Sequence, residues 1–412
     1  MKYWRLFITA TVLLVLVLTG CSAAQNTSGS SGSANGLPPA GQPIVIGGTL
    51  GLTGAYAGPS ADYKAVYDYW LQQVNSHGGL LGHPVKMIIY DDESNPATAQ
   101  SLYQRLIHQD KVNLLLSPYT TAIGGAVLPI AAANHMILWN GGFVGIKLFK
   151  STQWMIGSYT YQEPDYSRGV FEMIDSLPAS ERPTRVGIVT EQNPFTLVVR
   201  DGYQGQGGVV NFARQRGMQI VLNEEYPPTA TDVSGLIQRA KAARVDLFFA
   251  LSLPNPAALI ARTAYSLGFK PKIYCACGSL VTSLPYWAQL GPAGEGIFST
   301  AMAVPSDNYD GIQDLFAMLQ RVRHETVFSQ YAAVAMTILQ VMQQAVEGAR
   351  TLDQQQLRAY VLSHRFNTVN GPLTFDQYGM PHYNAVVVQY LSGKNQVVWP
   401  PSRATARPQL QS

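Results

Sequence analysis

From Pro43 onward the sequence alternates short apolar runs with amphipathic stretches, and it does so twice. The first series opens on the strand-like run "PIVIGG". It continues into "DYKAVYDYWLQQVN", where Tyr63, Val66, Tyr67, Trp70, Leu71 and Val74 recur at helical spacing. "VKMIIYDDE", "VNLLLSPYTT" and "MILWNGGF" read as three further strands. Between them lie a helix starting near Pro96 and a short one in "AVLPIAAANH". The rhythm restarts at "RVGIVTEQNPF", with later strands "MQIVLNEEYPP", "VDLFFALSLP" and "KIYCACGS". The intervening helices are "LVVRDGYQGQGGVVNFARQRG", interrupted by glycines, "DVSGLIQRAKAA", with Asp232 as a cap candidate, and "NPAALIARTAYSLG", stopped by Gly268. A long helix, "SQYAAVAMTILQVMQQAVEGA", then precedes hairpin-like strands up to Trp399. Strands alternating with helices imply parallel sheets covered on both faces, and two series imply two α/β lobes. A chain of 412 residues that is 47% hydrophobic can fill two such cores.

The amino-terminal segment does not belong to this pattern. Lys2 and Arg5 precede "LFITATVLLVLVL", an apolar run shorter than the ~20 residues of a membrane span. A charged start, a short apolar stretch and small residues describe a secretory signal over residues 1–20. It ends in "LTGC", which resembles the bacterial lipobox and implies that Cys21 becomes a lipid-bearing first residue. Residues 21–42 are rich in Ser, Gly and Asn, so they read as a flexible linker. The Pro- and Arg-rich end, residues 400–412, reads as a disordered tail.

Several kinds of chemistry are excluded. Lys plus Arg total 28 against 25 for Asp plus Glu, with no basic stripe, so nucleic acid is not an expected partner. The stretch "GGTLGLTGAYAGPS" has its glycines at 47, 48, 51, 54 and 58, which matches neither a dinucleotide fingerprint nor a phosphate-binding loop. No zinc-protease or nucleophile-elbow motif occurs, so no catalytic residue, metal site or cofactor is expected. Asp91, Asp92 and Glu93 are either a general-acid pair or a solvated turn capping the next helix, and the cap is the expectation. Cys275 and Cys277 are too few for a zinc site and read as two small residues at a strand end.

The stretch from Gly47 to Ala99 resembles the first βαβ unit of the type I periplasmic binding proteins, the solute receptors of branched-chain amino acid and amide ABC transporters. The marks are the Thr53-Gly54 turn, Asn75 followed by Gly78-Gly79, and the "YDDE" strand end. The likeness continues through "LLLSPYTTA", "VGIVTEQNPF", "FFALSLPNPAALIARTAYSLGF" and "NGPLTFDQYG", over about Pro43 to Trp399. It implies two doubly wound lobes joined by hinge crossovers, residues 43–160 with 303–382 and residues 161–302 with 383–399. It further implies an extracytoplasmic, non-enzymatic component of an ABC importer whose partners are a small polar solute, the permease and, through Cys21, the membrane. A sensor of the same fold is the alternative, and a secreted α/β hydrolase a more distant one.

Carried over onto this chain, the resemblance implies ligand contacts from Tyr56, Tyr119, Thr120, Thr121, Gly142, Phe143, Tyr161, Phe195 and Leu253. Asn140, Gly141 and Tyr159 are neighbouring candidates. Where amino-acid binders of the family place an acid for the ligand ammonium, this chain has Cys277. A buried ammonium without an acid is costly. Unless Glu163, Asp165 or Glu191 substitutes, the expected ligand is therefore neutral or anionic.

Overall fold

The computed structural model describes residues 36–277, 281–283 and 285–411. The signal-like segment, the lipobox cysteine and most of the linker lie outside the described residues. The first series forms a five-stranded parallel sheet of β1 (Ile44–Leu50), β2 (Val85–Asp91), β3 (Leu114–Leu116), β4 (Leu138–Asn140) and β5 (Met155–Gly157), in the order β2-β1-β3-β4-β5. Every residue of β1 except Val45 is buried, as expected for a strand covered on both faces. The connections are α1 (Ala57–Ser76), α2 (Pro96–His108), α3 (Thr121–Ala133) and α4 (Ile146–Ser151). Pro96 opens α2 as the sequence indicates, and the Asn95 side chain caps it by accepting from the N–H groups of Ala97 and Thr98.

The second series forms β6 (Arg185–Glu191), β7 (Gln219–Tyr226), β8 (Leu247–Leu251), β9 (Ile273–Cys275) and β10 (Phe298–Ala301). Its helices are α5 (Arg168–Ser176), α6 (Pro194–Asp201), α7 (Val209–Gln215), α8 (Ser234–Ala242), α9 (Pro254–Ser266) and α10 (Pro285–Ala288). The glycine-interrupted stretch is thus two helices, α6 and α7, with a tight turn at Tyr203–Gln206 between them. Asp232 stands one residue outside the capping position of α8, which Val233 occupies, yet it still accepts from the N–H of Ser234.

The chain then builds α11 (Ile312–Arg323), α12 (Gln330–Ala349), α13 (Gln354–Ser363) and the hairpin β11 (Phe366–Thr368) with β12 (Gly371–Leu373). α11 and α12 both pack on α1, and α12 buries fourteen of its residues. The last hairpin, β13 (Val386–Leu391) with β14 (Lys394–Trp399), joins the second sheet antiparallel, in the order β14-β13-β10-β9-β8-β6-β7. The chain passes between the sheets three times: after β5, after β10 and after β12. Two of these crossings are tied together, because Asn384 donates its N–H to the Thr160 carbonyl at 2.9 Å and Thr160 Oγ1 donates to the Asn384 carbonyl.

Two expectations are corrected here. The tail is ordered through residue 411, because Arg403 has a buried partner to reach. Its guanidinium pairs with Asp307 at 2.6 and 2.9 Å and donates to the Met302 carbonyl and Asn384 Oδ1, both at 3.0 Å. Thr405, Gln409 and Gln411 then bond to Val397, Gln389 and Lys272. Cys275 and Cys277 are not two independent small residues but a disulfide pair, with Cα atoms 5.2 Å apart.

Candidate functional site

Ligands of open α/β sheets bind beyond the carboxyl ends of the strands. At that position the two sheets enclose a cavity with about 50 Å³ of room for water-sized bodies. This is less than the ~150 Å³ of a protein cavity that accepts benzene. Tyr56 enters from the turn after β1, Tyr119 to Ala122 from the loop after β3, and Gly142 to Val144 from the loop after β4. The second sheet contributes Asn193 to Phe195 after β6 and Leu253 after β8.

Each wall has a local cause. In the glycine turn, Asp91 accepts from Thr53 N–H at 3.2 Å and Thr53 Oγ1 at 2.7 Å, and Ser94 Oγ donates to the Thr53 carbonyl. Gly54 sits at φ +82°, and a Cβ there would lie 2.8 Å from the Glu93 carbonyl oxygen. The glycines therefore let the turn lie against the β2 end, and Tyr56 is carried to the cavity. The acidic run does not act as a solvated helix cap, since Asn95 has that role. Asp92 is wholly buried, accepts from Thr49 Oγ1 at 2.7 Å, and has its pKa pushed up to about 6 by burial.

Gly142 has a different constraint, for a Cβ there would meet the Pro118 carbonyl oxygen at 1.9 Å. Asn140 holds this loop, its Oδ1 accepting from Gly142 N–H and Phe143 N–H at 3.1 Å each. The backbone N–H groups of Gly142 and Phe143 are thus already engaged. Thr121 Oγ1 is engaged too, donating to the Val144 carbonyl at 2.8 Å. At the start of α3 the Thr120 side chain makes no capping bond. The N–H groups of Thr121 and Ala122 take no partner among the described residues. Those two donors form a positive pole on the cavity wall, beside the Thr120 hydroxyl, which bonds to the Tyr56 phenol.

The rest of the wall is aromatic. Tyr119 meets Tyr56 at 5.5 Å and Tyr331 at 5.6 Å between ring centres, both nearly perpendicular. Tyr166 meets Phe195 edge-on at 5.3 Å. Burial drives the phenols of Tyr56, Tyr119 and Tyr159 above their ordinary pKa, so these hydroxyls stay neutral. No charged side chain lines the cavity among the described residues.

The structure therefore brings together Tyr56, Tyr119, Thr120, Thr121, Gly142, Phe143, Phe195 and Leu253, with Tyr159 beside them. It does not bring in two candidates. Tyr161 packs edge-on against Tyr166 at 4.8 Å and lines a separate cavity of about 230 Å³ with Asp165 and His382. Cys277 is fully buried in its disulfide and lies off the wall. Tyr166 and Tyr331 were missed. They come from a crossover and from the second residue of α12, and no motif in the sequence marks either as facing the strand ends.

The sequence profile described as "Periplasmic binding protein" matches residues 43–395. The chain belongs to the periplasmic binding protein family. A Leu/Ile/Val-binding protein homolog from Brucella melitensis is 19% identical over 388 residues, 91% of this chain and 96% of its own length. This periplasmic binding protein also shares its fold with a branched-chain amino acid transporter substrate-binding protein from Streptococcus pneumoniae, solved with isoleucine. That pair has a TM-score of 0.72 and 18% identity, covering 87% of this chain and all of the other. A solute-binding protein from R. palustris, solved with benzoate, gives a TM-score of 0.72 at 17% identity and covers 89% and 98% of the two chains. As a member of this family the protein works outside the cytoplasm and holds a solute rather than transforming one.

Proposed function

We propose that this protein captures a small solute with a carboxylate head and an apolar body, and hands it to an ABC permease. The observation that carries this reading is a cavity with no charged side chain on its wall among the described residues and an uncapped helix start opening onto it. A carboxylate placed there accepts from the Thr121 and Ala122 N–H groups, and from the Thr120 hydroxyl once it turns from the Tyr56 phenol, in the field of the α3 amino terminus. The cavity as it stands, about 50 Å³, is too small for such a solute, so the two sheets must part to admit it, and its apolar body then packs on Phe195 and Leu253 from the second sheet. A solute that touches both sheets favours the closed arrangement, because only differential affinity shifts such an equilibrium. An α-amino group would meet no carboxylate on this wall; Glu191 stands behind it and is already bonded to the Leu253 N–H, and a buried ammonium left unpaired is costly. The relatives' ligands bracket this choice, one solved with isoleucine and one with benzoate. We further propose that Cys21 carries the lipid that holds the protein at the membrane, on the strength of "LTGC".

A thermal-shift panel of benzoate, 4-methylpentanoate, leucine and isoleucine tests the ligand reading. A solute at 100 times its Kd adds about 2.7 kcal/mol of stability. The two plain carboxylates should raise the melting temperature and the two amino acids should not. The reverse pattern would overturn the reading.

A further inference from the structure

Glu191 ends β6, is 2% exposed, and sits beneath the cavity wall. Its Oε2 accepts from the N–H of Leu253 at 2.6 Å. Leu253 lines the cavity, as does Asn193 two residues along the chain from Glu191. Among the described residues no lysine, arginine or histidine partners this carboxyl. Arg200, on the helix that follows, is committed to Asp201 and Glu225. The titratable groups that feel its charge are the phenols of Tyr56, from the first sheet's side, and Tyr226 of β7, which is bonded to Ser252. Glu191 is thus a buried acid without a counter-ion, behind a wall that otherwise carries no charge.

A carboxylate solute seated at the start of α3 would share this water-poor space with Glu191. Two like charges with no cation between them repel strongly there, and one proton relieves the repulsion. We propose that Glu191 reads the charge of the solute: binding of a carboxylate solute loads a proton from the surrounding water onto Glu191. The inference rests on the carboxylate reading above. Burial already pushes this carboxyl above its ordinary value, so the free protein is poised toward uptake. The sign follows from linkage. Where Glu191 is ionised in the free protein, an anionic solute must bring a proton with it, and its affinity falls by up to about tenfold per pH unit. Where Glu191 is already protonated, affinity is flat. An amine-bearing solute has the opposite sign, because its ammonium favours the ionised acid.

Titration calorimetry with benzoate in phosphate and in Tris at one pH separates these cases, because the two buffers have different heats of ionisation. Wild-type heats should differ by the amount that marks proton uptake, and affinity should fall as pH rises wherever Glu191 is ionised in the free protein, by up to about tenfold per pH unit. Glu191→Gln should give equal heats in the two buffers and a flat pH profile. Glu191→Asp should restore the linkage, which a purely structural role for the side chain would not require. Equal heats in wild type with benzoate still bound would overturn the proposal and leave the carboxylate reading standing. If benzoate fails to bind and leucine binds instead, both fall.

Discussion

Thr120 and Thr121 are neighbours with the same side chain and different work. The Thr121 hydroxyl is spent on the Val144 carbonyl, while Thr120 caps nothing and meets the Tyr56 phenol on the cavity wall. Thr121→Val should therefore cost about 1 kcal/mol of stability, seen as a lower denaturant midpoint. Thr120→Val should leave that midpoint nearly unchanged and weaken carboxylate binding by roughly 1–3 kcal/mol. Equal effects on affinity from the two variants would contradict this division. Tyr56, Tyr119 and Phe195 come from the family resemblance, and each lines the cavity just beyond a strand end. Tyr331 could not be placed from the sequence, since it reaches the cavity only through the packing of α12 on α1. Cys277 was misjudged because the two-residue spacing in "YCACG" closes on itself as a disulfide instead of presenting a group to a ligand.

Among the elements, the parallel core was legible because runs such as "IVIGGTL" and "LFFAL" are buried on both faces and carry almost no polar residues. The tail was not, because its composition gives no sign of a distant partner. Arg403 draws its order from Asp307, nearly a hundred residues away in sequence and just beyond the β10 crossing. Its side chain is 15% exposed and that of Asp307 is 7%, so removing one partner strands the other. Arg403→Ala should therefore cost roughly 3 kcal/mol in equilibrium unfolding. An unchanged denaturant midpoint would show that the tail is only laid against the hinge. Asn193 joins structure to site at this scale. It caps α6 through the N–H groups of Phe195 and Thr196, so Asn193→Ala should lower stability by about 1 kcal/mol and release Phe195 from the wall.

For the whole molecule, buried acids set the response to pH. Burial lifts Glu163 to about 7, and burial with the nearby charge of Asp62 lifts Glu325 to about 9. Both are buried, so both are more easily protonated folded than unfolded. Their contribution is fully present below the ordinary carboxylate range and is lost as pH rises through those folded values. Carboxylates held low by cationic partners or hydrogen bonds, such as Glu224 beside Arg239, act the other way in acid. The melting temperature should therefore fall from about pH 6 to about pH 9, and Glu163→Gln with Glu325→Gln should flatten the fall. A melting temperature that rises over that range would contradict the assignment. The proposed closure of two lobes on a carboxylate with no amine is tested by leucine and 4-methylpentanoate, which differ only by the amino group. Titration calorimetry with both, alongside small-angle scattering of each saturated sample, should show binding and a smaller radius of gyration for 4-methylpentanoate and neither for leucine. Tighter binding and compaction with leucine would contradict the account.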